Sequence, residues 1–170
     1  AEDDRPGFAQ QRDAGGVGAR PVPGVDRRAV LGRHVAGVDD VLYRYGYAVE
    51  RAAGILTAAG PAGHSVNGGG DVQCSGDRLW RIGIADPLHP GRLALVVTGR
   101  DFAVATSGVA ERREHIIDPY TGQPPAGLAS ITVIGTRLAE TDAYATAAFA
   151  MGAAARAWVE SLDGYEAYAI

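Results

Sequence analysis

SGVAERREHIIDPYTGQPPAGLASITVIGTRLAETDAYATAAFAMG, residues 107–152, is the stretch on which the fold prediction depends. Its final third predicts a long helix of small residues, from about Thr141 to Leu162, because Ala recurs along one face. Residues 129–134, ASITVI, predict a strand directly before that helix. This part of the chain is therefore predicted to be a strand followed by a tightly packing helix.

Residues 115–119, HIIDP, predict a short apolar strand with an imidazole at one end and a carboxylate at the other. Residues 120–125, YTGQPP, predict a turn, because one glycine and two prolines leave the backbone few other conformations. Two ionisable side chains therefore flank a short hydrophobic segment that ends in a turn.

Asp142 and Thr146 stand four residues apart in the predicted helix, so both oxygens face the same way. A carboxylate and a hydroxyl one turn apart offer the hard oxygen ligands that Mg²⁺ or Ca²⁺ prefers. The alternative is that Thr141 or Asp142 only caps the helix while Thr146 bonds back to its own backbone. Spacing alone leaves both interpretations open.

Three segments, HIIDPYTG (115–122), SITVIG (130–135) and TDAYATAAFAMG (141–152), resemble the C-terminal signature of the ApbE-type FAD:protein FMN transferases. The resemblance implies a bacterial, Mg²⁺-dependent enzyme that cleaves FAD. It also implies that FMN is attached through a phosphoester bond to a Thr or Ser of a target protein, with release of AMP.

Upstream segments resemble the same family in the same order: YGYAVERA (45–52), VNGGGDV (66–72), WRIGIADP (80–87) and AVATSG (103–108). Tyr45 stands where the family usually has a Lys. We interpret Asn67 and Asp71 as structural residues of a glycine-rich bend between two strands.

The resemblance implies a metal held by the side chains of Asp142 and Thr146 and by the backbone carbonyls of Ala145 and Arg44. It implies catalytic or orienting roles for His115 and Asp118, although Asp118 before a proline can simply open the turn and His115 can cap a strand. The predicted flavin-binding residues are Tyr47, Ile116 and Thr106. The ring of Tyr45 or Tyr47 packs either on the flavin or adenine, or against the core or its rim.

The length of 170 residues is enough for one domain with its own core. A net charge of −4 and the lack of a basic patch argue against a nucleic-acid partner. The single Cys74 allows no internal disulfide, and no apolar run is long enough to predict a membrane span. These features assign no compartment.

The predicted fold class is α+β, an antiparallel β-sheet core flanked by two long helices. Residues 43–59 predict the first helix, while residues 79–87, 93–98 and 103–106 predict strands. A doubly wound parallel sheet is disfavoured, because these strands follow one another with no helix between them. We divide the chain into a loosely ordered arm, 1–38, and an ApbE-like flavin transferase domain, 39–170.

The resemblance starts at about residue 39, so it does not cover the N-terminal half through which full-length members complete the FAD pocket. The chain is therefore expected to be a truncated or divergent member. One alternative function is a non-catalytic flavin-binding or structural relic, and another is hydrolysis of FAD to FMN and AMP. The expected partners are FAD, an acceptor protein and, through exposed sheet edges, a second copy in a homodimer.

Overall fold

The computed structural model describes residues 40–109 and 116–170, with side chains from Tyr45 onward in the first segment. The predicted arm and His115 lie outside the described residues. None of the helices in the described part is both long and apolar enough to cross a bilayer.

The predicted helix and strands form close to where the sequence places them. In chain order the elements are α1 (Asp40–Ala58), β1 (Gly63–Gly68), β2 (Asp71–Gly76), β3 (Trp80–Ala85), β4 (Leu93–Gly99), β5 (Ala103–Gly108), β6 (Ser130–Gly135), α2 (Leu138–Met151), α3 (Ala155–Glu160) and β7 (Glu166–Ala169). The glycine-rich bend is the turn of the β1–β2 hairpin, and Gly69 and Gly70 adopt positive φ values of 63° and 100° there.

Five strands form one sheet in the order β1-β2-β5-β6-β7, and β3 and β4 form a separate two-stranded sheet. Every described strand pair is antiparallel. The α+β class with an antiparallel sheet and helices is therefore confirmed.

The five-stranded sheet is covered on both faces, because its side chains alternate between two hydrophobic clusters. Ala105 of β5 and Val133 of β6 pack with α2 and α3 in the first cluster. Val104 and Ile134, the sequence neighbours of these two residues, pack with Ile84 of the β3–β4 sheet in the second. The molecule thus has a helical layer, a central sheet and a smaller sheet.

Three details of the prediction are wrong. The second helix is shorter than predicted, because Gly152 at φ 59° ends α2 before a single 3₁₀ turn and α3. A Cβ at Gly152 would lie 2.6 Å from the carbonyl oxygen of Ala126, so the chain must turn at a glycine there. Residues 116–118 are irregular instead of a strand, and β7, which was not predicted, follows the last helix.

Candidate functional site

A cleft of about 760 Å³ opens between the central sheet, the β3–β4 sheet and the helices. The β1–β2 hairpin, β3 and the β3–β4 connection supply most of its lining, and α1 and α2 contribute Tyr45, Asp142 and Thr146. The end of β5, Ile116 and the first residue of β6 complete it: Thr106, Ser107, Gly108, Ile116 and Ser130. The cleft therefore collects residues from segments more than one hundred positions apart.

Asp142 and Thr146 lie in the middle of α2 and both line the cleft. The helix begins at Leu138, so Asp142 does not cap it, while the hydroxyl of Thr141 donates a 2.7 Å bond to the carbonyl of Arg137. Both side chains are buried, at 7% and 3% exposure. The capping interpretation of Asp142 is therefore wrong, and the ligand interpretation stays a prediction.

The carboxylate of Asp142 is held from the neighbouring helix. The backbone N–H of Gly46 in α1 donates to Oδ2 of Asp142 at 3.1 Å. A Cβ on Gly46 would lie only 2.7 Å from the same oxygen, so the contact requires glycine. This close approach of α1 to α2 sets the position of the carboxylate in the cleft.

Thr146 is oriented by the sheet beneath it. The hydroxyl of buried Ser107, on β5, lies 3.4 Å from Oγ1 of Thr146. Ser107 shares its face of β5 with Ala103 and Ala105, whose small side chains let α2 pack closely. Sheet and helix therefore bring two hydroxyl groups together next to the carboxylate.

The N-terminus of α2 is capped by side chains from other elements, because Arg137 at the N-cap position supplies no side-chain bond. Oε1 of buried Gln73 on β2 accepts the N–H of Leu138 at 2.9 Å, and Oε2 of Glu50 on α1 accepts the N–H of Ala139 at 2.9 Å. Glu50 also bonds Arg137 at 3.1 Å. These bonds satisfy helix N–H groups that would otherwise lack partners. The negative charge of the Glu50 carboxylate also stabilises the helix, because it lies at the positive end of the helix dipole.

The remaining predicted residues fall in different places. Thr106 and Ile116 line the cleft. Tyr45 lines it and Tyr47 does not, although the two residues are almost equally exposed, at 48% and 49%. Oδ1 of Asp118 accepts the N–H of Tyr120, and its Oδ2 accepts the hydroxyl of Thr121, as expected for a residue that opens the turn.

Ala145 is fully buried in α2, and Arg44 belongs to α1, two positions before the glycine that contacts Asp142. The predicted donors are all oxygen atoms, which fits a hard divalent cation. The described residues contain no cluster of three or more His, Cys, Asp or Glu side chains, so such an ion would depend on hydroxyl and carbonyl oxygens.

The backbone partners support the structural interpretation of the hairpin turn. Oδ1 of Asn67 accepts the N–H of Gly70 at 3.1 Å, and Oδ1 of Asp71 accepts the N–H of Thr106 at 3.2 Å. Asp86, which follows β3, accepts the N–H of Leu88 and lies 2.9 Å from the imidazole Nδ1 of His89, and these two hydrogen bonds lower the pKa of its carboxyl group.

Sequence reasoning missed Ser107, Ser130 and Arg81 as cleft residues. Alternation along a single strand shows which residues share a face, but it does not show which face meets a cavity. The signal for Ser107 and Ser130 was their position at the polar ends of otherwise apolar strands. Arg81 gave no signal, since an exposed arginine is ordinary on a strand surface.

The ApbE family profile matches residues 44–169. A protein of Rhodobacter capsulatus named FAD:protein FMN transferase is 40% identical over 116 residues, which is 62% of this chain and 22% of that protein. A protein of the same name from Treponema pallidum is 42% identical over 95 residues, 49% of this chain and 26% of that protein.

Solved structures agree. The ApbE protein of Thermotoga maritima superposes with a TM-score of 0.65 at 31% identity, covering 80% of this chain and 47% of that one. The apo flavinyl transferase ApbE of Pseudomonas stutzeri gives 0.61 at 26% identity, covering 77% and 48%. The chain thus spans about a quarter of the two curated relatives and about half of these structures. By its sequence and its fold, the chain belongs to the ApbE family.

Proposed function

We propose that this chain carries out, or forms the metal-binding part of, the transfer of FMN from FAD to a Thr or Ser hydroxyl of an acceptor protein. The relatives named FAD:protein FMN transferase support the reaction class. The single observation that carries the proposal here is the convergence of Asp142 and Thr146 on one cleft. Their carboxylate and hydroxyl oxygens suit a hard cation beside a diphosphate.

The transfer balances without an external oxidant or reductant. The acceptor hydroxyl oxygen forms a bond to the FMN-side phosphorus, and the bond from that phosphorus to the bridging oxygen breaks. AMP leaves with the electron pair of that bond, and the hydroxyl proton passes to a base or to water. The reaction depends on positioning the two reactants and on stabilising charge at phosphorus.

Mg²⁺, held by Asp142 and Thr146 with the backbone carbonyls of Ala145 and Arg44, would supply charge neutralisation at the diphosphate. The chain holds these ligands in place through Gly46, which bonds the carboxylate, and through Ser107, which lies beside the threonine hydroxyl. Burial of both ligand side chains keeps water from competing for them.

His115 and Asp118 are the proposed base or orienting groups for the acceptor hydroxyl. Because the carboxylate of Asp118 already accepts two bonds within its turn, it fits an orienting role for the segment that follows residue 115. The apolar side chain of Ile116 and the side chain of Thr106, both on the cleft, are the proposed flavin contacts, and Tyr47 stays a prediction for that role.

The test uses the 170-residue chain with FAD and MgCl₂ and a bacterial lysate freed of small flavins. Covalent transfer is read as flavin fluorescence of protein bands after denaturing electrophoresis, and AMP is measured by chromatography. We expect Asp142→Asn to lower both signals by at least about 100-fold, because an electrostatic stabiliser of the transition state is lost. Asp163→Asn, an equal charge change at an exposed position, is the matched control.

The outcomes separate the alternatives. FMN and AMP released without any labelled protein would indicate FAD hydrolysis. FAD bound without AMP release would indicate a flavin-binding relic. Transfer that Asp142→Asn leaves intact would overturn the proposed role of the cleft.

A further inference from the structure

Two hydrogen bonds between α1 and α2 lie one helical turn apart. Gly46 of α1 donates its N–H to Oδ2 of Asp142 at 3.1 Å, and Oε2 of Glu50 accepts the N–H of Ala139 at 2.9 Å. Gly46 and Glu50 are spaced i, i+4 on α1, and Ala139 and Asp142 are spaced i, i+3 on α2, so each pair lies on one face of its helix. Together the two contacts fix the rotation of one helix against the other, which a single contact leaves free.

The contact between Gly46 and Asp142 tolerates little change in how the helices are spaced. A Cβ at Gly46 would lie 2.8 Å from Cβ of Asp142 and 3.1 Å from the carbonyl oxygen of Leu138. Buried Val49 of α1 packs against Gly68 at the end of β1, where a Cβ would collide with it. Because α1 is held against the hairpin, the position of the Asp142 carboxylate depends on what keeps α2 against α1.

The carboxylate of Glu50 is itself held in place. Nε and Nη2 of Arg137 both donate to its Oε1, at 3.2 and 3.1 Å, and Nη1 of Arg137 donates to Oε1 of Glu140 at 2.8 Å. Tyr165 donates its hydroxyl to Oε2 of Glu140 at 2.6 Å. Ion pairs of a side chain as exposed as Arg137, at 59%, contribute little to stability. Their main consequence here is geometric, because they fix the direction in which the Glu50 carboxylate points.

We propose that Glu50 is a positioning residue for Asp142. Glu50 is absent from the described lining of the cleft, so it acts on a ligand only through another residue. By holding the first turn of α2 against α1, it keeps the Asp142 carboxylate beside the N–H of Gly46. Groups that orient a metal ligand without touching the metal strongly affect metal affinity. That Asp142 binds a cation rests on the proposed function, whereas the position of its carboxylate does not.

The first test follows the backbone amide proton of Gly46 by NMR, in the 170-residue chain with EDTA present. A charged acceptor shifts such a proton downfield, so Asp142→Ala shows where its signal lies without the contact. We expect Glu50→Ala to move the signal most of the way from its wild-type position to its position in Asp142→Ala. Circular dichroism checks that each variant is folded.

Two conservative variants separate the reach of the side chain from its charge. Glu50→Gln keeps an oxygen that accepts the N–H of Ala139, so the Gly46 signal should stay close to its wild-type position. Glu50→Asp keeps the charge but is one methylene shorter, so we expect it to behave like Glu50→Ala. The opposite order would show that charge near the end of α2 is what matters, and it would overturn the positioning role.

Two further variants are the controls. Arg51→Ala changes the next residue of α1, which is exposed, and tests for a local effect on the Gly46 signal. Gln73→Met removes the other acceptor at the N-terminus of α2, which comes from β2 instead of α1. Both controls should leave the Gly46 signal at its wild-type position. Gln73→Met is the more demanding control, because it weakens the start of α2 without changing α1.

The second test measures Mg²⁺ binding to the same proteins by calorimetry, without FAD. We expect Glu50→Ala and Glu50→Asp to weaken Mg²⁺ binding by about 10-fold to 100-fold, as is typical when a group that orients a metal ligand is lost. Glu50→Gln should keep an affinity close to that of the wild-type chain. This measurement connects the position of the carboxylate to its proposed use and needs no turnover.

An unmoved Gly46 signal in Glu50→Ala would overturn the positioning role. So would an equal movement in Arg51→Ala or Gln73→Met, or a Mg²⁺ affinity that is the same in Glu50→Ala and the wild-type chain. If the signal responds as expected but the wild-type chain binds no Mg²⁺, the positioning of Asp142 by Glu50 stands and the metal site of the proposed function is rejected.

Discussion

The two faces of the central sheet are built from different side chains. The helix-facing cluster is dominated by alanines, with Ala103, Ala105, Ala147 and Ala148 fully buried. The cluster facing β3 and β4 is built from larger aliphatic and aromatic side chains: Val72, Ile84, Val97, Phe102, Val104 and Ile134. Small residues allow helix and sheet to approach closely, whereas large ones fill a wider gap.

The two faces of the central sheet have different roles. On the closely packed side, Gly46 of the neighbouring helix bonds Asp142, and Ser107 of the sheet lies beside Thr146. The other face gains stability from burying large side chains, and residues 81–85 of β3 form one wall of the cleft. We therefore expect substitutions on the two faces to affect stability and activity in different proportions.

The largest effect on stability is expected from Phe102→Ala on the β3–β4 side. Phe102 is fully buried, so its truncation should lower the unfolding free energy by about 3–5 kcal/mol through lost burial and a cavity. Ile55→Ala, at a side chain 66% exposed, is the control and should change it by less than about 0.5 kcal/mol. Urea denaturation measures both, and equal effects would contradict the comparison.

Gly46→Ala should lower both activity and stability, and the loss of activity should be the larger effect. The added methyl would lie 2.7 Å from the Asp142 carboxylate, so we expect loss of AMP release and a destabilisation of about 1–3 kcal/mol from overpacking. Gly54→Ala on the same helix meets no atom within 4 Å and should stabilise the protein by about 0.5–1 kcal/mol. One set of melting curves measures both variants, and we expect the melting temperature to fall in Gly46→Ala and to rise in Gly54→Ala.

Gln73→Met should lower the unfolding free energy by about 1 kcal/mol, because the substitution removes the acceptor that caps α2 at Leu138. The new side chain has a similar volume, so the effect reports lost hydrogen bonds instead of lost packing, including the bond that Nε2 of Gln73 donates to the carbonyl of Thr136 at 3.2 Å. The same change at exposed Gln123 serves as control. A stability unchanged by Gln73→Met would show that Glu50 caps the helix sufficiently by itself.

The last effect is absent near neutral pH and appears only at high pH. Burial raises the pKa of the Cys74 thiol to about 11 from its usual 9.0. The unfolded chain therefore loses this proton from about pH 9, while the folded chain holds it until about pH 11, so stability is retained below pH 9 and falls between these values.

Cys74→Ala should show a shallower loss of stability between pH 9 and 11 than the wild-type chain. The comparison is needed because burial also raises the pKa of Tyr144 and Tyr165, which titrate in the same direction. Identical slopes of stability against pH in the two proteins would show that the Cys74 thiol does not contribute to the loss. Denaturation midpoints at a series of pH values provide the measurement.

Much of the fold followed from local pattern. The helix over residues 43–59, the strands around residues 82, 95, 105 and 132, and the glycine-rich hairpin turn were predicted because periodicity and turn residues act over a few positions. The extent of α2 was predicted less well, since Gly152 interrupts an alanine-rich run whose composition alone favours continuing the helix. The short β7 was missed because its four residues form a strand only by pairing with β6.

The sequence by itself determined the family, the antiparallel α+β class and the helical spacing of Asp142 and Thr146, because each depends on residue types at short separations. Only the tertiary structure decided that Gly46 bonds the carboxylate, that Gln73 and Glu50 cap α2, and that Tyr45 instead of Tyr47 lines the cleft. These contacts join residues 65–96 positions apart. Such pairings depend on how closely the layers pack, and no local pattern records that distance.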